Sequence, residues 1–281
     1  MNKTLKLLAL VLALLIPVSC TVRPKASIDP HEGMIQVHDG NSMIWIPLAE
    51  NLKLNSLAAE DFTTENGIST YKGDYRHGID VSEHQLEIDW QAVAQSGLAD
   101  FVFIRAAYRG YTEGGVYEDA RFRENMAGAA QYGIDTGVYF FSQAITPREA
   151  VEEAEFLLEL IKDYDISLPI VYDWEIVNNP GARTAGLDAD TLTKCAIAFC
   201  QRIKEAGYEP MVHLYKYLAY HNYDLDRLAD YPLWVANPGA YPDFCYEHSW
   251  WQYSYEGKVP GIEVETDLNL YFPALVQTET E

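Results

Sequence analysis

From His77 onward, short runs rich in Val, Ile, Phe, Tyr and Trp alternate with stretches of helical pattern, and this alternation limits the chain to a few folds. The strand-like runs are Phe101 to Ala106, Thr136 to Phe141, Leu168 to Trp174, Glu209 to Tyr215, Leu233 to Ala236 and Ser249 to Tyr253. Between them, Pro147 to Tyr164 reads as a helix opened by Thr146 as N-cap, with Pro147 in the first helical position and Glu149 completing a capping box. Asp119 to Tyr132 and Thr191 to Ala206 read as two more, closed by Gly133 and Gly207, residues suited to a left-handed cap. Strand, helix, strand in succession implies parallel strands joined by right-handed crossovers, as in a closed barrel or a wound open sheet. The glycine loops that cradle phosphates in nucleotide-binding open sheets are missing. In a barrel, the active groups belong at the carboxyl ends of the strands.

The densest chemical signal is Pro169-Ile170-Val171-Tyr172-Asp173-Trp174-Glu175, an apolar strand that ends in two carboxylates one residue apart. Strand side chains alternate, so Asp173 and Glu175 point to the same side, with Cα atoms ~6.5–7 Å apart. Like charges that close oppose double ionisation and raise the pKa of one acid, which keeps a proton available for a leaving oxygen. Glycoside hydrolysis needs such a proton. A metal-binding carboxylate pair, or two solvated acids past a strand end, fits the same seven residues. Gly78-Ile79-Asp80-Val81-Ser82 and Thr266-Asp267-Leu268-Asn269 add further acids, and each of these taken singly reads as a turn aspartate.

Gly78 to Gln85 (GIDVSEHQ), Asp89-Trp90, Gly137 to Phe141 (GVYFF), Asp173-Trp174-Glu175, Trp251-Gln252-Tyr253 and Asp267-Leu268-Asn269 form an ordered set. Over residues 77 to 273 this set resembles glycoside hydrolase family 25, the N-acetylmuramidases often called Chalaropsis-type lysozymes. The resemblance implies an α/β fold: an irregular (β/α) barrel of eight strands with fewer helices. It implies cleavage of the β-1,4 bond between N-acetylmuramic acid and N-acetylglucosamine in peptidoglycan, without a cofactor or metal. Glu175 is carried over as the catalytic acid, with Asp173 beside it and Asp80 and Asp267 lining the cleft. On this reading the substrate's acetamido oxygen attacks the anomeric carbon, Asp173 orients it, and Glu175 protonates the leaving oxygen and then activates water, with retention of configuration.

Sugar rings stack on aromatic faces, and Tyr139, Phe141, Trp174, Trp234, Trp251 and Tyr253 fall at or near strand ends. Tyr139 is the first choice for the cleft, and Phe141, Trp234 and Tyr253 are further substrate-binding candidates, although Phe141, Trp174 and Trp251 read equally well as core. Gln252 suits either a sugar hydroxyl or a structural amide. Arg105 and Arg109 follow a strand and can face anionic muramyl peptides or pair with acids of the protein. The histidines show no triad spacing with a serine and receive no catalytic role. A saccharide-binding protein without turnover is the alternative function, and the presence of both Asp173 and Glu175 speaks against it.

The N-terminal residues address location. Lys3 and Lys6 precede the apolar run Leu7 to Ile16, too short to span a bilayer but fitting an export signal over residues 1–20. Val18-Ser19-Cys20 then looks like a bacterial lipoprotein signal, with Cys20 as the acylated residue and membrane tether, although Pro17 stands where an aliphatic residue is usual. The expected location is secreted or cell-surface, facing the wall. Residues 21–33 read as a linker, and 34–76 as a small β-rich lead-in with a hairpin about Asp39-Gly40, too short to fold alone and so packed on the barrel of 77–281. Cys195, Cys200 and Cys245 have no spacing that indicates a zinc site or a disulfide framework. With 20 Lys plus Arg against 42 Asp plus Glu, the net charge of −22 argues against a nucleic-acid partner. A monomer is expected, and the pI of about 4.6 suits wall remodelling or nutrition better than attack on foreign anionic walls.

Overall fold

The structure, a computed structural model, describes residues 29–275. Cys20, the export signal and most of the linker lie outside the described residues. The lead-in forms two antiparallel hairpins: β1 (Met34–His38) with β2 (Met43–Pro47), and β3 (Phe62–Glu65) with β4 (Ile68–Tyr71). Val37 pairs with Ile44 across the first hairpin, and Asp39 Oδ1 accepts from the Asn41 and Ser42 amides at 2.8 Å to fix its turn. Both hairpins lie against the main body. Tyr246 accepts the Ala49 amide at 2.8 Å, while Phe62 meets Trp251 edge-on at 5.4 Å and Phe272 at 5.9 Å.

The remaining strands close into a barrel. They are β5 (Arg76–Val81), β6 (Phe101–Arg109), β7 (Val116–Glu118), β8 (Asp135–Ser142), β9 (Ile170–Trp174), β10 (Pro210–Tyr215), β11 (Leu233–Ala236), β12 (Trp250–Gly257) and β13 (Thr266–Tyr271). Hydrogen bonding runs β5-β13-β12-β11-β10-β9-β8-β6 and returns to β5, with β7 appended to β6. Seven of the eight barrel strands run parallel. β13 is antiparallel to both of its neighbours, β12 and β5. The helices are α1 (Trp90–Gln95), α2 (Phe122–Gln131), α3 (Pro147–Ile161), α4 (Ala189–Glu205) and α5 (Lys216–Asn222). β11 reaches β12 through an irregular segment rather than a helix of these residues, so the ring of helices is incomplete. The Thr146 cap is present, with its hydroxyl accepting from the Glu149 amide at 3.3 Å. Cys195 and Cys200 are buried free thiols of α4, as their apolar setting suggests.

Period-two alternation sorts the side chains into two cores. Val102, Ile104, Val138, Tyr172, Trp174 and Val212 face outward into the layer under the helices, whereas Phe101, Phe103, Val171, Met211, Trp234 and Trp250 fill the barrel interior. The interior packs by ring contacts: Phe103 stacks on Trp234 at 4.7 Å, and Trp250 on Tyr271 at 3.9 Å. Two glycines make room for these rings. A Cβ on Gly78 would lie 2.2 Å from the Phe101 ring, and one on Gly137 would lie 2.4 Å from Phe103 and 2.9 Å from the Pro169 carbonyl. Gly137→Ala is therefore expected to destabilise the fold by about 1–3 kcal/mol through overpacking. Thermal denaturation of the variant checks this, and an unchanged midpoint would contradict the packing described.

Candidate active site

At one end of the barrel, the carboxyl end of the parallel strands and the amino end of β13, the same inward positions switch from apolar to polar. Asp80, Arg105, Tyr139, Asp173, His213, Gln252, Asn269 and Asp267 continue the inward rows begun by Gly78, Phe103, Gly137, Val171, Met211, Trp250 and Tyr271. Above this layer opens a cleft of about 820 Å³, whose lining includes Asp80, Asp173, Glu175, Asp267, Arg105, Tyr139, Phe141 and Tyr215. The structure thus brings all four carboxylates chosen from the sequence to one cavity, at the strand ends where a barrel carries its reactive groups.

The acids have different partners. Asp173 Oδ1 lies 2.9 Å from His213 Nδ1, and both side chains are buried. Burial lowers the His213 pKa, but the charges of Asp173, Glu175 and Asp80 outweigh it and hold the net value above the usual imidazole range. His213 Nδ1, hydrogen-bonded to Asp173, fixes the orientation of that carboxylate. Glu175, just past β9, is pushed up to about 8, first by burial and next by the charge of Asp173, against the opposing pulls of His213 and the Tyr215 hydroxyl. Tyr215 donates to Glu175 Oε1 at 3.2 Å. Glu175 thus keeps its proton at neutral pH.

Asp80 and Asp267 are direct strand partners, β5 to β13. They are strand residues of the barrel wall and not the turn aspartates that their local sequences suggest. Burial raises Asp80, while Asn269 and Gln252 donate to its Oδ2 at 2.8 and 2.9 Å. Asp267 is pushed up to about 9 by burial and then by the charge of Asp80, to which it hydrogen-bonds. The pair shares one proton, held on Asp267.

These shifts make folding depend on pH. Glu175 and Asp267 hold protons in the folded protein well above their ordinary values of 4.5 and 3.8. The native state then binds more protons than the unfolded chain between those values and about 8 to 9. Their contribution is complete below pH 4, declines as pH rises, and is lost above the folded-state values. Thermal stability should fall from pH 5 to pH 9, and less steeply in Asp267→Asn. Equal slopes for the two proteins would contradict the assignment.

Other residues chosen from the sequence divide. Tyr139 and Phe141 line the cleft, whereas Trp234 lies beneath it, 2% exposed, with its indole donating to Asn269 Oδ1 at 2.8 Å. Gln252 is buried and donates to Asp80, the structural-amide option. Tyr253 faces away from the cleft, in the outer core beside Trp251 and the Ser69 backbone of the second hairpin. Trp174 and Trp251 also belong to that outer core, because each sits one residue out of phase with its inward neighbours. Arg105 lines the cleft but is ion-paired, to Asp119 at 2.7 Å and Glu83 at 3.0 Å. Arg109 pairs with the buried Glu153 at 2.6 Å.

Linear reading missed His213 and Tyr215, together with Tyr108, Tyr111 and Tyr117 on the cleft wall. Alternation puts His213 on the inward face with Met211, but its place beside Asp173 comes from the β9–β10 register. Asp173, Glu175 and His213 can also offer ligand atoms to a cation, all within 4.8 Å of one another. The 2.9 Å contact is a hydrogen bond, however, shorter than the ~3.3 Å that separates ligand atoms around a tetrahedral metal.

Comparison with known proteins agrees with this architecture. The chain is 30% identical to the Escherichia coli K12 protein YegX over 203 residues, 69% of each chain. It is 29% identical to Lysozyme M1 of Streptomyces globisporus over 210 residues, 69% of this chain and 67% of that one. The modular autolysin LytC from Streptococcus pneumoniae superposes with a TM-score of 0.62 and 25% identity, covering 86% of this chain and 57% of that one. The model of the family "Glycosyl hydrolases family 25" matches residues 79–262, which span the barrel from β5 past β12 and contain Asp80, Asp173 and Glu175, and the chain belongs to this family.

Proposed function

We propose that the protein is a peptidoglycan hydrolase that cleaves the β-1,4 bond between N-acetylmuramic acid and N-acetylglucosamine. The observation that carries the reading is a protonated, half-buried Glu175 beside Asp173, which His213 orients, in a cleft walled by aromatic rings. The acetamido oxygen of the substrate attacks the anomeric carbon as the glycosidic C–O bond breaks. Glu175 gives its proton to the leaving oxygen, and Asp173 orients the acetamido group and balances its growing positive charge. Water then opens the cyclic intermediate, returning a proton to Glu175, with net retention. Asp80 and Asp267 shape the cleft beside them, and Tyr139 and Phe141 offer faces to the sugar rings.

The family membership, Lysozyme M1 among the relatives, and the binding of a synthetic peptidoglycan ligand by the pneumococcal autolysin support this reading. We further read residues 1–20 as an export signal, Cys20 as a lipid tether, 21–33 as a spacer, 34–76 as a lead-in and 77–281 as a monomeric catalytic barrel at the cell surface. No helix of the described residues is long and apolar enough to cross a membrane. Digestion of purified peptidoglycan, followed by reduction and mass spectrometry of the new ends, tests the activity. Reduced muramic acid ends are expected. Reduced glucosamine ends would place the cut at the other bond, and no products would favour a binding protein without turnover.

A further inference from the structure

A second cavity, of about 460 Å³, opens at the ends of β10 and β11, on the same face of the barrel as the acids. Tyr215 lines both cavities, and its hydroxyl holds Glu175 at 3.2 Å. Tyr255, on the lining of the second cavity, lies 5.8 Å from Tyr215 between ring centres. The floor and one wall are Tyr215, Ala236 and the segment Asn237 to Tyr241, while the opposite wall is the hairpin tip His38-Asp39-Gly40. That tip precedes residue 79, where the family match begins.

The hairpin is held in this place by specific bonds. Asp39 Oδ2 lies 2.9 Å from His221 Nε2 of α5, and the Asn55 amide donates to the Pro242 and Phe244 carbonyls at 2.8 and 2.9 Å. The lead-in therefore supplies one wall and braces the other. Inside, Asp243 Oδ1 accepts from both Lys216, at 2.6 Å, and Asn237, at 2.7 Å. A rim of tyrosines with a few fixed polar groups at its base matches the amphipathic chemistry of a saccharide ring.

We infer that the hairpin tip and the Asn237 to Tyr241 segment form an additional saccharide subsite, which holds sugars of the same glycan strand beyond the bond at Glu175. The inference rests on the proposed activity and on Tyr215, whose side chain lines both cavities. The lead-in is then part of the substrate-binding surface and not only a spacer.

Calorimetric titration of the full chain carrying Glu175→Gln, with peptide-free tetra-, hexa- and octasaccharides of the wall glycan, tests it. Affinity should rise by about tenfold at one step of length, and His38→Ala or Tyr217→Ala should remove that step. Both side chains line the cavity and are exposed. His38 Nδ1 accepts from the Gly40 amide and Tyr217 packs on His221 at 4.3 Å, so an unchanged thermal midpoint of each variant is the control that the hairpin stays docked. Affinity indifferent to length, a step that survives both substitutions, or a gain that depends on the stem peptide would overturn the subsite. Absence of binding even by the tetrasaccharide would count against the cleft reading itself, a result distinct from a missing length step.

Discussion

Glu175→Gln should lower kcat/KM on peptidoglycan by a hundredfold or more, with little change in thermal stability. The substitution keeps the size and the contact with Tyr215 but removes the proton that the leaving oxygen needs. General acid catalysis contributes ~10²–10⁴-fold, and the same group is lost as the base for the second step. An aryl glycoside whose leaving group departs without protonation separates the roles. Its first turnover should be nearly spared in Glu175→Gln, while steady-state turnover stays impaired. An equal loss on both substrates at the first turnover would assign Glu175 to positioning instead of proton donation.

Asp173→Asn should cost about a hundredfold or more, for a different reason. Its carboxylate is aimed by His213 at 2.9 Å and faces the place where positive charge develops on the acetamido group. Removal of a preorganised group of this kind typically costs ~10²–10³ in kcat. The loss should resist any improvement of the leaving group, because charge develops whatever departs. His213→Asn should reproduce part of the defect by freeing Asp173 to rotate. If Asp173→Asn were rescued by a better leaving group, or His213→Asn were silent, the orienting role would fall.

Much of this was legible in the chain. Every strand-like run from Phe101 to Tyr253 is a barrel strand within a few residues at its ends, and all three long helices form where their caps predict. Asp173 and Glu175 share a face because strand alternation is local, and the resemblance carried Asp80 and Asp267 into the same cleft. Alternation alone left a closed barrel and an open sheet both standing, and only the resemblance chose the barrel, because closure depends on the β5–β13 pairing of residues from opposite ends of the barrel sequence. His213 was missed for the same reason: its partner lies forty positions away, on the adjacent strand. Trp234, Gln252 and Tyr253 show what strand-end position leaves undetermined. Trp234 and Gln252 point inward but are capped by Asn269 and Asp80, and Tyr253 falls on the outward phase against a hairpin whose docking the sequence does not encode locally.

The central claim is that burial and the charge of Asp173 keep Glu175 protonated at neutral pH. The pH dependence of kcat/KM on a soluble glycan fragment, for the parent protein and Asp173→Asn, tests it most directly, because this ratio reports ionisations of the free enzyme. A protonated acid is active, so the rate must fall as pH rises through its pKa. The account predicts a basic limb near the value of about 8 for the parent, displaced to lower pH in Asp173→Asn as the neighbouring charge is removed. A limb in the ordinary carboxylate range for the parent, or one that Asp173→Asn leaves in place, would contradict it.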